Sequence, residues 1–211
     1  MMDTAQVREE LGRIGLDVSD VTSDPISQFH AWFEQWANLN PYAADTMVLS
    51  TVDADGWPDA RAVLLKGVDN RGFVFYTNRR SAKGSQLENS GRAALTMVWR
   101  EIERQVRIVG EVSQVPETES DKYFASRPRG AQIGAWASEQ STVLNSRAEL
   151  NARVTALEKQ YPSQVPRPPH WGGYLIAPHR VEFWQGRPDR LHDRIRYRKE
   201  TDSWILERLA P

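Results

Sequence analysis

Apolar residues recur along the chain in two periods, and the change from one to the other lays out the architecture. Ile26, Phe29, Trp32, Phe33 and Trp36 fall on one stripe of a helix. Asp24-Pro25 opens that helix, with Asp able to cap free N–H groups and Pro suited to the first position. Asn40-Pro41 closes it. Upstream, residues 7–11 form one short amphipathic stretch in an otherwise polar lead, so residues 1–23 are read as a mobile N-terminal arm before a domain over residues 24–211. From residue 46 the period falls to two. Strands are predicted over 46–52, 60–68 and 73–77, joined by the turns Asp53-Ala54-Asp55-Gly56 and Asp69-Asn70-Arg71-Gly72. Tight turns between successive strands favour an antiparallel meander over βαβ units.

A short helix over 81–89, capped by Ser81, precedes strands over 93–99 and 105–115. A helix over 116–125 is broken by Arg127-Pro128-Arg129-Gly130, and 134–138 reads as a further helical turn. Residues 146–161 form a helix with Leu150, Val154 and Leu157 on one face, and the four prolines of 162–169 make a loop. Strands over 173–176, 180–185, 195–198 and 204–209 finish the chain. The fold class is therefore mainly β with flanking helices (α+β), as an antiparallel barrel that is closed or nearly so.

Composition narrows the chemistry. The 211 residues carry a net charge of −1, which argues against a bulk polycation and against non-specific nucleic-acid binding. There are no cysteines, which excludes disulfides, thiolate metal sites and a cysteine nucleophile. His30, His170, His179 and His192 are scattered without metal-ligand spacing, so no metal is expected. No stretch approaches the ~20 apolar residues of a membrane span. The N-terminus lacks a secretory pattern, and a cytoplasmic location is expected.

Four clusters carry candidate chemistry. Arg61-Ala62-Val63-Leu64-Leu65-Lys66 places two cations in an apolar strand, on opposite faces unless a bulge intervenes. Tyr76-Thr77-Asn78-Arg79-Arg80-Ser81-Ala82-Lys83 ends a strand, adds cations and opens a helix, which suits an anion. Tyr123, Arg127 and Arg129, followed by Gln140 and Ser141, offer guanidinium forks in a run rich in small residues. Finally, Trp184 precedes Arg190-Leu191-His192-Asp193-Arg194. The chain has no Gly-x-Ser-x-Gly elbow and no Gly-x-Gly-x-x-Gly loop. Two anion-binding regions and aromatic surface, with no evident nucleophile, suit a protein that binds phosphorylated rings and leaves the chemistry to a cofactor.

The strings RAVLLKG, FYTN, ERQVRI, SRPRGAQIGAWAS, WGGY, VEFWQGR, RLHDR and ERLAP, in this order from about residue 24 to 211, resemble the pyridoxine/pyridoxamine 5′-phosphate oxidase family. The resemblance implies an FMN-binding split β-barrel that works as a homodimer with the flavin between subunits. It also implies oxidation of pyridoxamine or pyridoxine 5′-phosphate to pyridoxal 5′-phosphate. A hydride passes from substrate C4′ to flavin N5, and O2 is reduced to hydrogen peroxide. The family's FMN positions fall on Arg61, Ala62, Val63, Leu64, Leu65, Lys66, Tyr76, Thr77, Lys83, Gln105, Gln140, Ser141, Trp184 and Arg194. Its substrate positions fall on Lys66, Tyr123, Arg127, Arg190, Leu191 and His192, with Arg190 and His192 nearest to a catalytic role. Arg8 matches an arm residue that covers substrate in some members, whereas Glu9 and Leu11 do not match.

Three departures touch the substrate side more than the flavin side. Ala82 stands where many members carry a second basic residue, Ala131 where a Ser often helps hold phosphate, and the stretch NPYAADT before Met47 differs from the usual pattern. The rival readings are an oxidase of this scaffold acting on another substrate, such as a phenazine precursor, a flavin- or pyridoxal-phosphate-binding module without turnover, and a deazaflavin-dependent reductase.

Overall fold

Strands β1 (Thr46–Val52), β2 (Pro58–Leu64), β3 (Gly67–Asp69), β4 (Gly72–Asn78), β5 (Arg92–Trp99), β6 (Arg104–Gln114) and β7 (Trp171–Gln185) form one antiparallel sheet in the computed structural model, which describes residues 4–40 and 42–211. Their order is β2-β1-β5-β6-β7-β4-β3. Strand β8 (Asp193–Glu200) pairs with β7, and β9 (Ser203–Arg208) pairs with β8. The β1–β2 hairpin turns where Asp53 Oδ1 accepts the Asp55 and Trp57 N–H groups and Gly56 takes φ +88°.

The strand predicted over 60–68 is two strands, because the chain changes partner in the middle. Leu65 N–H still donates to Asp45 O beside β1 (2.8 Å), whereas Lys66 N–H donates to Val74 O on β4 (2.8 Å). The two edges of the sheet meet there, so Leu65-Lys66 is the seam that curls the sheet into a barrel. The strands predicted over 173–176 and 180–185 are instead the two halves of β7. Pro178 could not donate in a flat ladder, and opposite it β6 shifts register between Val109 and Gly110. A Cβ on Gly110 would come 2.1 Å from Ala177 O, so the irregularity requires glycine.

The apolar stripe of α2 (Pro25–Leu39) fills one mouth of the barrel. Phe29 meets Phe73 edge-on at 5.0 Å, Trp32 meets Phe183 edge-on at 5.1 Å, and Trp36 stacks on Trp99 at 6.0 Å. Asp24 accepts from Ser27 N–H as its N-cap, and Leu39 is its last residue; Pro41 lies outside the described residues.

A second layer consists of α4 (Glu117–Ser126), α5 (Arg129–Ala137) and α6 (Arg147–Gln160), packed with Trp171 around Phe124, Ile133 and Val165. Only Arg127-Pro128 breaks the run, since a residue before Pro is driven out of helical geometry, and α5 starts at Arg129 instead of 134. Val154 and Leu157 of α6 touch this layer, but no residue of α6 is fully buried.

Where a mobile arm is expected, residues 4–23 lie on the barrel. Helix α1 (Thr4–Ile14) packs Val7 and Leu11 on the core. Arg187 donates to Gly12 O (2.7 Å), Arg208 to Leu16 O (2.8 Å) and Tyr197 Oη to Thr22 O (2.6 Å). Among the described residues no helix is long and apolar enough to cross a membrane.

Candidate active site

The barrel seam, the end of β4 and the start of β7 converge on a cleft of about 460 Å³. Lys66 enters from the seam, with Ala62, Val63 and Leu64 beside it, while Leu65 turns into the core. Tyr76 and Thr77 come from β4, and Thr77 Oγ1 donates to Gln140 Oε1 at 3.3 Å. Lys83 comes from the first turn of α3 (Ala82–Ser90), whose N-cap Ser81 accepts from Gly84 N–H. Tyr123 and Arg127 come from α4 and its end.

Aromatic rings and cations alternate in the wall of this cleft. Tyr123 stacks on Tyr76 at 4.0 Å and 16°, and Trp171 continues the stack 5.6 Å from Tyr76. The Arg127 guanidinium lies 4.6 Å over Trp171, yet among the described residues its buried Nη1 has no hydrogen-bond partner. Burial pushes the pKa of Arg127 down, with a smaller opposing effect from Tyr123. Lys83 is only 8 % exposed, and its ammonium finds Ser81 Oγ at 3.4 Å. Its pKa is lowered first by burial and then by the Arg61 charge. Two desolvated cations with too few acceptors make a site short of an anion.

Arg61 is not in the wall. It is held behind Lys83 by Thr51 Oγ1 (2.5 Å), Gln86 Oε1 (3.1 Å) and Asp59. Ser141 is exposed and outside the wall, in a left-handed conformation at φ +75°.

Gln105, Trp184 and His192 lie elsewhere, in a cleft of about 340 Å³. The Trp184 and His192 rings are 4.6 Å apart, and His192 Nδ1 accepts from Arg187 N–H at 3.2 Å. That bond leaves Nε2 as the nitrogen able to donate. Arg190 and Leu191 are exposed beside it, with Asp189 and Arg190 both left-handed at φ +57° and +61°. Left-handed backbone in two consecutive non-glycine residues persists only where the surrounding turn holds it. Arg194 sits opposite Trp184 in the β7–β8 ladder, on the same face, but its guanidinium turns along the strand to Glu182 Oε1 (2.9 Å) and Ala210 O (2.9 Å). Arg8 borders a further cleft that shares Glu103 and Arg187 with the His192 cleft.

The predicted residues therefore form two groups at opposite ends of β7. Trp171 belongs to the first and Trp184, thirteen residues on, to the second. At ~3.3 Å per residue the contour between them is about 43 Å. Sequence reasoning missed four contributors: Trp171, Asp45, Arg187 and Arg104. Trp171 was visible in the string WGGY. Asp45 forms an ion pair with Lys66, and Arg187 orients His192. Arg104 lies 3.9 Å over Trp32, and burial draws its pKa down to about 10. Nothing in the local pattern marks Asp45 or Arg104, because their partners are distant in sequence, whereas Arg187 lies five residues from His192 and ends the string VEFWQGR.

Comparison with known proteins gives a consistent picture. A family described as pyridoxamine 5′-phosphate oxidase matches residues 34–161, and one described as the pyridoxine 5′-phosphate oxidase C-terminal dimerisation region matches residues 171–211. The chain is 51% identical to a pyridoxine/pyridoxamine 5′-phosphate oxidase of Salinibacter ruber over the full length of both, and 51% identical to one of Burkholderia lata over the same span. Among solved structures it resembles PhzG from Burkholderia lata, in complex with tetrahydrophenazine-1-carboxylic acid, with a TM-score of 0.86 and 32% identity over 92% of this chain and 95% of that one. A related FMN-binding protein from Nostoc punctiforme shares the fold at a TM-score of 0.71 and 17% identity, over 90% of this chain and 100% of that one.

Proposed function

The chain belongs to the pyridoxamine 5′-phosphate oxidase family, and on that premise we propose that it binds FMN and oxidises pyridoxamine 5′-phosphate or pyridoxine 5′-phosphate to pyridoxal 5′-phosphate with O2 as acceptor. The observation that carries this reading is the anion-poor cleft, where Arg127 Nη1 and the Lys83 ammonium are buried beside a stacked aromatic wall. Phosphorylated aromatic molecules supply both what the cations lack and what the rings can cover.

Lys66, Tyr123 and Arg127 hold the substrate phosphate. Lys83, with Arg61 behind it, holds the flavin phosphate, and Tyr76, Thr77, Gln140, Ser141 and the 62–65 segment complete that side. Gln105, Trp184 and Arg194 belong to the flavin ring end, where Arg190, Leu191 and His192 cover the pyridine ring and orient C4′. FMN, when bound, would supply a two-electron acceptor for the hydride leaving substrate C4′, with O2 as the terminal oxidant and hydrogen peroxide as its product. The amine substrate then loses ammonia by hydrolysis of its imine. Positioning is the task left to the protein, and His192, fixed through Nδ1, serves it with an Nε2–H donor.

One chain holds the two groups of residues at opposite ends of β7, so each complete site draws its phosphate cleft from one subunit and its Trp184–His192 end from the other. The C-terminal dimerisation match, over residues 171–211, includes Trp184, Arg190, His192 and Arg194 of the second group, along with Trp171 of the first. The outer face of the barrel supports the same assembly, since Val48, Val52, Leu64 and Val98 are exposed there. An arm of residues 1–23, with Arg8 reaching toward substrate, an oxidase domain of residues 24–211 and a cytoplasmic location belong to the same proposal.

A second reading, oxidation of a phenazine precursor, draws on the likeness to PhzG and on Ala131 in the cleft wall, where no hydroxyl is offered. One experiment separates the two. Flavin-loaded protein is mixed without oxygen with pyridoxamine 5′-phosphate, and its visible absorbance should bleach and then return in air with hydrogen peroxide. Bleaching by tetrahydrophenazine-1-carboxylic acid alone would select the second reading, and bleaching by neither would leave a binding module.

A further inference from the structure

Of the three cations in the phosphate cleft, one is already neutralised from within. Lys66 Nζ lies 2.5 Å from Asp45 Oδ2. Among the described residues, Lys83 and Arg127 form no ion pair. Asp45 is held by the barrel seam, since its own carbonyl accepts the Leu65 N–H at 2.8 Å. That bond fixes the Asp45 backbone next to Lys66, so the carboxylate starts from within reach of the ammonium. The pair is partly shielded, with side-chain exposures of 26% for Lys66 and 33% for Asp45.

We propose that Asp45 is an affinity-setting residue: an internal carboxylate that competes with the substrate's phosphate for Lys66 and so loosens the hold of the cleft on substrate and product alike. This rests on Lys66 being a ligand of the substrate phosphate. An arriving phosphate either displaces the carboxylate from Lys66 or binds beside it. The first route loses an ion pair, and the second places like charges side by side. Substrate and product carry the same phosphate, so the penalty falls equally on both. With Lys66 uncompensated, Lys66 and Arg127 together would hold the product's phosphate more firmly and release it more slowly.

The test uses flavin-loaded protein and measures dissociation constants for pyridoxal 5′-phosphate and for pyridoxal by calorimetry, in wild type, Asp45→Asn and Asp45→Ser. Both variants keep the backbone carbonyl that Leu65 needs. Pyridoxal 5′-phosphate should bind roughly two- to fivefold more tightly to the variants, the size set by a partly exposed ion pair, while pyridoxal should bind as before. The KM for pyridoxamine 5′-phosphate should fall in parallel without a rise in kcat. Unchanged or weaker binding of pyridoxal 5′-phosphate overturns the proposal, because Asp45 would then be aligning Lys66 for the ligand. Equal tightening toward pyridoxal overturns it too, because the effect would be packing and not charge. Wild type that binds no pyridoxal 5′-phosphate refutes the reading of the cleft itself, a failure visible before any variant is made.

Discussion

Replacing Arg127 by Met should cost the protein substrate affinity and almost no stability. The Arg127 guanidinium covers Trp171 at 4.6 Å and Phe124 at 5.6 Å, but its Nη1 is buried without an acceptor. An orphaned donor on a buried cation costs about 1–3 kcal/mol, and the stacking on Trp171 returns about 0.5–2 kcal/mol. These nearly cancel. Met keeps the apolar cover over the ring, so the folded state should change by less than about 1 kcal/mol. Once a phosphate arrives the balance changes, because the orphan becomes a charge-assisted bond of about 1.5–3 kcal/mol. At 1.4 kcal/mol per tenfold, Arg127→Met should raise the KM for pyridoxamine 5′-phosphate about 10- to 150-fold. The kcat should move little if the contact is the same in ground and transition states. Oxygen uptake against substrate concentration gives the first number and a thermal melt of the same sample gives the second. A melting point lowered by many degrees with KM intact would refute the reasoning, since Arg127 would then be a structural cation and not a phosphate ligand.

Lys83→Ala should weaken FMN binding by roughly tenfold or more while changing the KM for substrate less, as read by titrating FMN into apoprotein; equal flavin retention counts against it. Arg190→Ala should lower turnover sharply and leave FMN bound, and unchanged kinetics would remove Arg190 from the site. Tyr197 is fully buried, and burial raises its pKa to about 12. The unfolded phenol ionises near 10, so its contribution is complete below about pH 10 and is lost as pH climbs toward about 12. Tyr197→Phe should flatten that alkaline limb of an unfolding curve, and an unaltered limb would assign the loss to other groups. Dilution below the dimer dissociation constant should abolish turnover and release FMN together, as followed by sedimentation and flavin fluorescence; a monomer that keeps both contradicts the split site.

Several strands were legible because an interior face alternates with an outer one, whereas β4 is buried along nearly its whole length and lacks that alternation. In β1 the interior positions are Met47, Leu49 and Thr51. The helix over Pro25–Leu39 was legible from its stripe and its Asp24 cap. What the pattern hid was non-local. Nothing in residues 60–68 says that Leu65 bonds to Asp45 and Lys66 to Val74, since a strand that changes partner has the same alternation as one that does not. Nothing in residues 171–185 distinguishes two strands from one long bent strand, because Pro178 reads as a terminator until its partner Gly110 is known. The anion cleft shows the same division. Lys83 after a strand and before a helix marks itself, whereas the Lys66–Asp45 pair joins residues 21 apart and follows only from barrel closure.

Strand β7 links the fold to the proposed chemistry. It pairs with β4 through Trp171–Ile176 and with β8 through Arg180–Gln185, while β6 runs beside both halves. A strand paired on both sides is stiff, so the distance from the Trp171 cleft to the Trp184 cleft is set by the sheet and not by a flexible linker. Stiffness of that kind prevents a single chain from folding its two groups of residues onto one mononucleotide. It also presents each group in fixed register to a second copy, so the dimer needs little further ordering to complete a site. On the proposed split site, flavin binding and subunit association are two readings of one equilibrium: FMN should strengthen the dimer by as much as dimerisation strengthens the hold on FMN.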